Sequence, residues 1–248
     1  MNSMNTRRTV RAYSNQPLED LLLNELLQTA CRTSNTGNMQ AYSVIVTRDQ
    51  ERKQLLAPLH FNQQQVIQAP VVLTFCADFN RFSKWCGQRN AQPGYANFQA
   101  LTYSAIDAVI LAQAFCDAAE AKGLGICYLG TTTYNAGQIS DVLNLPKLVL
   151  PITTISVGYP QIPFSGDLSD RLPLNGIVHM ESYKDYSPDD IDRIYAVKEA
   201  LPENLRFIEL NKKETLAQIF TDIRYTKKDN EYFSEAFLNA IRKQGFDI

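Results

Sequence analysis

Hydrophobic and polar residues alternate along the chain in a way that predicts helices and strands in succession. Leucines recur at helical spacing after Pro17, which predicts a helix over 17–32 with Ser14 or Asn15 as its cap. An alanine-rich stretch over 102–122 is apolar around most of its circumference, which predicts the central helix of the core. Short apolar and β-branched runs predict strands over 42–47, 71–77, 126–129 and 152–157.

The remaining segments complete an α+β pattern. Shorter helical patterns occupy 51–58, 66–69, 136–143, 188–200 and 230–244. The stretch 82–99 mixes Trp85, glycine and proline with polar residues, so we expect a long, mobile excursion there. A charged, irregular segment is expected between the last two helices, and Gly123 is expected to end the central helix in the left-handed conformation. The sequence therefore predicts one α+β domain with an extended C-terminal part.

Composition and charge exclude several classes of protein. The 248 residues are 45% hydrophobic and 20% charged, and the formal net charge of −2 gives no general attraction for nucleic acid or an acidic membrane. The most apolar stretch, 105–121, contains Asp107, Asp117 and Glu120, which is too much charge for a membrane span. The first twenty residues lack the apolar segment of a secretion signal, so we expect a cytoplasmic protein.

The cysteines and histidines indicate neither a disulfide framework nor a metal site. The five cysteines are Cys31, Cys76, Cys86, Cys116 and Cys127. Their number is odd and no pair has C-x-x-C spacing, so we expect them to be reduced and buried. His60 and His179 are far apart and belong to no metal-binding motif. The sequence predicts neither a metal site nor a Ser/His/Asp triad.

The strongest chemical signal is a cluster of arginines near the N-terminus. Arg7, Arg8 and Arg11 fall within five residues, directly before a turn and the first helix. Planar guanidinium groups match phosphate oxygens in pairs. Local positive charge on a slightly acidic protein suits a small phosphate-bearing ligand better than a polyanion. The alternative interpretation is a solvated basic arm without a ligand.

Three polar segments offer further hydrogen-bonding groups. They lie at 33–40, 62–65 and 130–133, and each is also explained as an ordinary loop, turn or helix cap. Gly123 and Gly125 do not form a dinucleotide-binding fingerprint, because they follow a helix and precede a strand, the reverse of the required order. None of these segments settles a function alone.

The order of these motifs is more specific than any one of them. The arginines and Tyr13 are followed by a polar loop that ends in Gln40. The series continues with the segments 75–81, 123–125, 128–130, 145–146, 158–160 and 171–173. In this combination the chain resembles the FMN-dependent nitroreductase family, in particular its larger NADPH-preferring nitroreductases and flavin reductases. The resemblance covers about the first 185 residues well and the remainder loosely.

The resemblance implies an α+β fold with a central, mostly antiparallel sheet flanked by helices. It also implies a homodimer in which two chains swap terminal segments and FMN lies in the interface. Residues 1–185 would form the FMN-binding core, and 186–248 would be a C-terminal helical extension of the same domain.

The resemblance also assigns roles to individual residues, each at a position that the family uses to bind FMN. These are Arg7, Arg8 and Arg11 at the phosphate, Ser34, Asn35 and Thr36 along the flavin, Gln63 near its reactive edge, Tyr128, Leu129, Gly130 and Thr131 with their backbone facing the ring, and Arg171 as a second arginine on the phosphate side. The resemblance names no side chain as a general acid, base or nucleophile.

The chain departs from the family pattern at three places. Thr131 stands where these relatives have a second glycine, and Ser169 stands where they have a lysine. The loop that is serine-rich in the family is Ser-Asn-Thr-Gly over 34–37. These changes concern the environment of the flavin ring and the range of substrates.

The implied activity follows from the cofactor. FMN would accept a hydride at N5 from NADH or NADPH, and a nitroaromatic, quinone or flavin acceptor would then take its place in a ping-pong cycle. Two alternatives stay open: the same fold with flavin cleavage or reductive dehalogenation, and a non-enzymatic protein that binds an anion or nucleic acid. Arg224, Lys227 and Lys228 form a basic stretch that suits either the extra phosphate of NADPH or a solvated surface.

Overall fold

The computed structural model describes residues 3–162 and 168–248. The described part contains four strands: β1 Tyr42–Thr47, β2 Val71–Asp78, β3 Gly125–Leu129 and β4 Val149–Gly158. Its α-helices are α1 Asp20–Ala30, α2 Gln50–Leu56, α3 Gln64–Gln68, α4 Asn80–Gln88, α5 Phe98–Ala121, α6 Ala136–Val142, α7 Pro188–Glu199, α8 Pro202–Leu210, α9 Leu216–Ile219 and α10 Lys227–Lys243.

The strands form one sheet in the order β1-β2-β4-β3, and every neighbouring pair is antiparallel. The predicted α+β fold with an antiparallel sheet and flanking helices is therefore confirmed. All of β2 is buried, because apolar layers cover both faces of the sheet. On one face, Leu73 and Phe75 of β2 pack with α1 and α5. On the other face, Val72 packs with residues of α2, α3 and α6.

Helix α5 is the core helix that the sequence predicts. The Asn97 side chain caps it by accepting a hydrogen bond from the Ala100 backbone N–H. Among the described residues, it is the one helix long and apolar enough to cross a membrane. Leu111 and Phe115 are nevertheless fully buried against the sheet, as in the core helix of a globular domain. Gly123 follows this helix with φ of 79°, which confirms its left-handed conformation.

The chain divides into two compact units. The first comprises Met1–Gly166 and Phe233–Ile248, and the second comprises Asp167–Tyr232. The sheet and the C-terminal part of α10 belong to the first unit, whereas α7, α8 and α9 belong to the second. The expected division into a core over 1–185 and an extension over 186–248 stays a prediction.

The N-terminal arm, residues 7–16, is docked on the sheet. The Val10 backbone N–H donates to the Ile126 carbonyl at 2.9 Å, and Thr9 forms a parallel bridge with Ile126. The Tyr13 hydroxyl lies 2.7 Å from Ser156 Oγ of β4 and is also 2.9 Å from the Val10 carbonyl. The arginines of this arm are therefore held on an ordered backbone.

Two predicted irregular segments are helical. Residues 80–88 form α4 instead of part of a mobile excursion, because Phe82 and Cys86, one turn apart, pack inward while polar residues cover the outer side. The segment between the last predicted helices contains α8 and α9, and the Thr215 side chain caps α9 by accepting from the Gln218 backbone N–H. Both predictions of irregular structure were wrong.

Two local predictions at α1 were also wrong. The helix begins at Asp20, and neither Ser14 nor Asn15 caps it. The reason is that the arm stays on the sheet, since the Ser14 backbone N–H donates to the Tyr159 carbonyl. Cys31, which directly follows the helix, is exposed and not buried as expected. The other four cysteines are buried and free, as predicted.

Gly125 tests how closely the arm approaches β3. A Cβ atom at this position would lie 2.5 Å from Cβ of Val10, so no side chain fits. We expect Gly125→Ala to lower the free energy of unfolding by about 1–3 kcal/mol through overpacking. The matched control is Gly87→Ala in α4, where a Cβ would meet no atom within 4 Å. Urea unfolding of both variants is the measurement, and equal stabilities would contradict the close approach.

Candidate functional site

Arg7 is partly buried beside an acidic residue. Its Nε lies 3.4 Å from Glu120 Oε1, near the C-terminal end of α5. Burial raises the pKa of Glu120, and the Arg7 guanidinium opposes this shift. Both carboxylate oxygens of Glu120 are buried without a hydrogen-bond partner among the described residues. Arg7 is thus already partly neutralised by a carboxylate of the same chain.

Arg11 is exposed at the start of a group of polar contacts along β3. Its guanidinium lies beside the thiol of Cys127, where burial raises the pKa of the thiol and Arg11 lowers it. The Gln65 side-chain amide donates to Cys127 Sγ at 3.8 Å and to Gln63 Oε1 at 2.7 Å. Arg11 and Gln63, both predicted from the sequence, are therefore connected through Cys127 and Gln65.

A buried histidine connects Gln63 to the far end of β3. His60 is fully buried, and its Nδ1 lies 2.8 Å from Thr131 Oγ1. Burial lowers the pKa of His60 to about 4, so the ring is neutral at pH 7. His60 Nε2 has no partner among the described residues.

The unpartnered nitrogen indicates the tautomer of His60. A buried N–H without an acceptor is rarer and costlier than a buried lone pair without a donor. The favoured tautomer therefore carries its hydrogen on Nδ1 and donates to Thr131 Oγ1. The Thr131 hydroxyl then directs its own hydrogen away from His60.

The turn after β3 presents backbone rather than side chains. Gly130 is exposed, and a Cβ there would meet no atom within 4 Å. Leu129 is buried, and its carbonyl accepts from the hydroxyl of Thr132 at 2.9 Å. The Tyr128 hydroxyl donates to Gln113 Oε1 of α5 at 3.3 Å, so this side chain faces the helix. Only backbone atoms of Tyr128 and Leu129 suit the predicted role.

The loop with Ser34, Asn35 and Thr36 is held on α5. The carboxylate of Asp107 accepts from the Thr36 backbone N–H and from its hydroxyl, each at 3.0 Å. Asp107 precedes Glu120, the partner of Arg7, by thirteen residues of one helix. At the helical rise this separates the two positions by about 20 Å. The structure therefore does not join this loop with the arginines in one chain.

Arg171 lies in the second unit. Its Nη1 donates to the carbonyl of Asp170 at 2.7 Å and to that of Ser169 at 3.3 Å. In the same unit, the guanidinium of Arg224 stacks over Phe207, 4.5 Å from the ring centroid. Both arginines are thus described only within their own unit.

Several residues of the site were not predicted from the sequence. They are His60, Gln65, Asp107, Glu120 and Cys127, and all are buried or nearly so. The usable signal was the presence of Asp107 and Glu120 in an otherwise apolar helix, since buried carboxylates need partners. His60 gave no signal, because its partner Thr131 is 71 residues away in sequence. The described residues contain no group of three His, Cys, Asp or Glu that could hold a metal ion.

The neutral state of His60 predicts how stability depends on pH. Its pKa is about 4 in the folded chain and 6.5 in an exposed histidine. The unfolded chain therefore binds more protons between these values, and stability falls as the pH decreases from 6.5 towards 4. The contribution of His60 to this loss is about 3 kcal/mol and is absent above pH 6.5.

Urea unfolding at pH 7 and pH 5 measures this effect. We expect His60→Gln to lose less stability between the two pH values than the unsubstituted protein. His179→Gln is the matched control, because His179 bonds to Tyr186 in the second unit and leaves His60 intact. An equal loss in the unsubstituted protein and His60→Gln would contradict the buried, neutral histidine.

Comparisons with known proteins place this arrangement in a family. Residues 4–159 match the model of the nitroreductase family. The chain is 33% identical over 177 residues to an oxygen-insensitive NADPH nitroreductase of Salmonella typhimurium, covering 71% of each protein. It is 28% identical to an FMN reductase [NAD(P)H] of Bacillus subtilis, covering 99% of this chain and 97% of the relative.

A solved structure is similar over the full length. The crystal structure of a Bacteroides fragilis protein aligns with a TM-score of 0.97 and 57% identity, and the alignment covers 100% of both chains. The fold, the docked arginine arm and the family match agree with the resemblance inferred from the motifs. This chain belongs to the nitroreductase family.

Proposed function

We propose that this protein is an NAD(P)H-dependent FMN oxidoreductase that reduces nitroaromatic, quinone or flavin acceptors. The observation that carries the proposal is the continuous series of contacts from Arg11 through Cys127, Gln65, Gln63 and His60. It connects a cationic arm at one end of β3 with an open glycine turn at the other end.

The residues present suit FMN. Arg8 and Arg11 supply guanidinium groups for the phosphate, whereas Arg7 is partly neutralised by Glu120. The exposed backbone of Gly130 leaves room for a flat ring, since no atom lies within 4 Å of its missing side chain. When bound, FMN supplies a ring that accepts hydride from NADH or NADPH and passes it to the acceptor.

The protein contributes orientation and hydrogen bonding. Gln63 and Thr131 provide neutral polar groups near the turn, and His60 fixes the direction of the Thr131 hydroxyl. A histidine with a pKa of about 4 does not exchange a proton readily at pH 7. We therefore assign no general acid or base, and the rate depends on positioning of two flat partners.

A homodimer with FMN in its interface is part of the proposal. Ile106, Val109 and Ile110 are exposed at spacings of three and four on α5, an apolar stripe that a second chain would cover. The distance of about 20 Å between the Thr36 loop and Arg7 supports contributions from two chains to each site. We expect a cytoplasmic enzyme, as for a reductase that uses NADH or NADPH.

The first test is an absorbance spectrum of the purified protein before and after anaerobic addition of NADPH. We expect the bands of oxidised flavin, and we expect them to bleach on addition. Coupled oxidation of NADPH with a quinone then separates this function from flavin cleavage or dehalogenation. A colourless protein that takes up no added FMN would contradict the proposed function.

Arg11→Gln tests the phosphate role. Loss of a charge-assisted hydrogen bond is expected to weaken FMN binding at least about tenfold, measured by quenching of FMN fluorescence. Arg89→Gln is the matched control, because Arg89 is exposed near the end of α4 and its side chain donates only to the neighbouring Gln88 carbonyl in the described contacts. Equal affinities of the two variants would contradict the assignment of Arg11.

A further inference from the structure

Three aromatic rings meet beside the turn that follows β3. The rings of Tyr134 and Phe233 stack with centroids 4.3 Å apart and an interplanar angle of 11°. The ring of Phe61 lies 6.2 Å from Tyr134 and 5.9 Å from Phe233. All three residues belong to the first unit. Phe61 nevertheless remains 52% exposed, so the cluster covers only part of its ring.

The backbone at Phe61 is in a conformation that its side chain disfavours. Phe61 has φ of 55°, and Asn62, the next residue, has φ of 54°. Asparagine tolerates the left-handed region, whereas a bulky aromatic residue there is an outlier. A strained residue with a large exposed apolar ring is not explained by core packing. Such outliers concentrate at functional sites.

The turn that carries Phe61 is fixed to the candidate site. His60 precedes Phe61 and contacts Thr131 at 2.8 Å. The Asn135 side chain donates to the Leu59 carbonyl at 2.7 Å, which fixes the same two turns a second time. Gln63, the residue predicted to lie near the reactive edge of the flavin, follows two positions later. Phe61 is therefore a rim residue of the candidate site.

We propose that Phe61 determines specificity for the electron acceptor, with its exposed face stacking on a flat, neutral aromatic acceptor. This inference rests on the proposed function and adds a residue that selects the acceptor. Offset stacking on an aromatic ring favours a planar partner over an ion of the same size.

The charge around Phe61 supports a neutral occupant. The segments 57–68 and 129–140, which form the two joined turns, contain no Asp, Glu, Lys or Arg. His60, their one histidine, is neutral at pH 7. A nicotinamide dinucleotide carries phosphates that need cations, whereas a quinone or nitroaromatic ring needs apolar area and few polar contacts.

The experiment compares Phe61→Gly and Phe61→Tyr in the FMN-loaded protein. Glycine adopts the left-handed backbone without strain, so Phe61→Gly is expected to fold. Two acceptors are used: 1,4-naphthoquinone, which is flat and neutral, and ferricyanide, which is an anion without a ring. Binding of 1,4-naphthoquinone to the oxidised protein by calorimetry gives a readout that does not depend on turnover.

We expect Phe61→Gly to lower the ratio of kcat/KM for naphthoquinone to kcat/KM for ferricyanide about tenfold, with a similar loss in naphthoquinone affinity. Phe61→Tyr keeps the ring and should keep both values within about twofold. Asn90→Gly is the matched control, since Asn90 is another left-handed residue, with φ of 56° outside the aromatic cluster. It should leave the ratio unchanged.

Other outcomes identify which idea fails. If the unsubstituted protein reduces naphthoquinone and Phe61→Gly keeps the acceptor ratio and the affinity, the role of Phe61 is wrong while the proposed function stands. A rise of KM for NADPH alone would also overturn the role, because Phe61 would then serve the nicotinamide. If the unsubstituted protein binds no FMN and oxidises no NADPH, the proposed function fails, and the role of Phe61 fails with it.

Discussion

The candidate site depends on the docking of the N-terminal arm on β3. Backbone bonding of Val10 to Ile126 and close contact with Gly125 fix where the arm lies. The short strand β3 is at one edge of the sheet, and the arm satisfies backbone groups at its start. The other end of β3 leads into the turn with Gly130. One strand of five residues thus fixes the distance between the arginines and the open turn.

Burial controls the charges around this strand. Glu120 is kept near Arg7, and burial of its carboxylate makes that pairing more important than a surface ion pair would be. His60 is neutral for the same reason, because nothing around it stabilises a proton. Arg11 stays exposed. The positive charge available to a ligand is therefore concentrated at the start of β3.

The sequence predicted the sheet, the central helix and the arginine cluster because each leaves a local pattern. Val71, Leu73 and Phe75 form a continuous apolar run that requires burial on both faces. The contacts that connect the site could not be predicted, since His60 and Thr131 are distant in sequence and each has an ordinary local context. Helix α4 was missed because few apolar residues define its buried side. The family resemblance, carried by the order of several weak motifs, gave more of the site than any single pattern.

The strand also separates two kinds of surface that one flat, phosphate-bearing cofactor requires. At its start, guanidinium groups provide charge and paired donors, which suit a phosphate. At its end, both joined turns lack charged residues, and an aromatic ring is exposed at Phe61. A charged group near the turn would favour binding of ions in place of flat neutral molecules. The absence of charge at this end therefore restricts which molecules bind there, in the same way as the presence of arginines does at the other end.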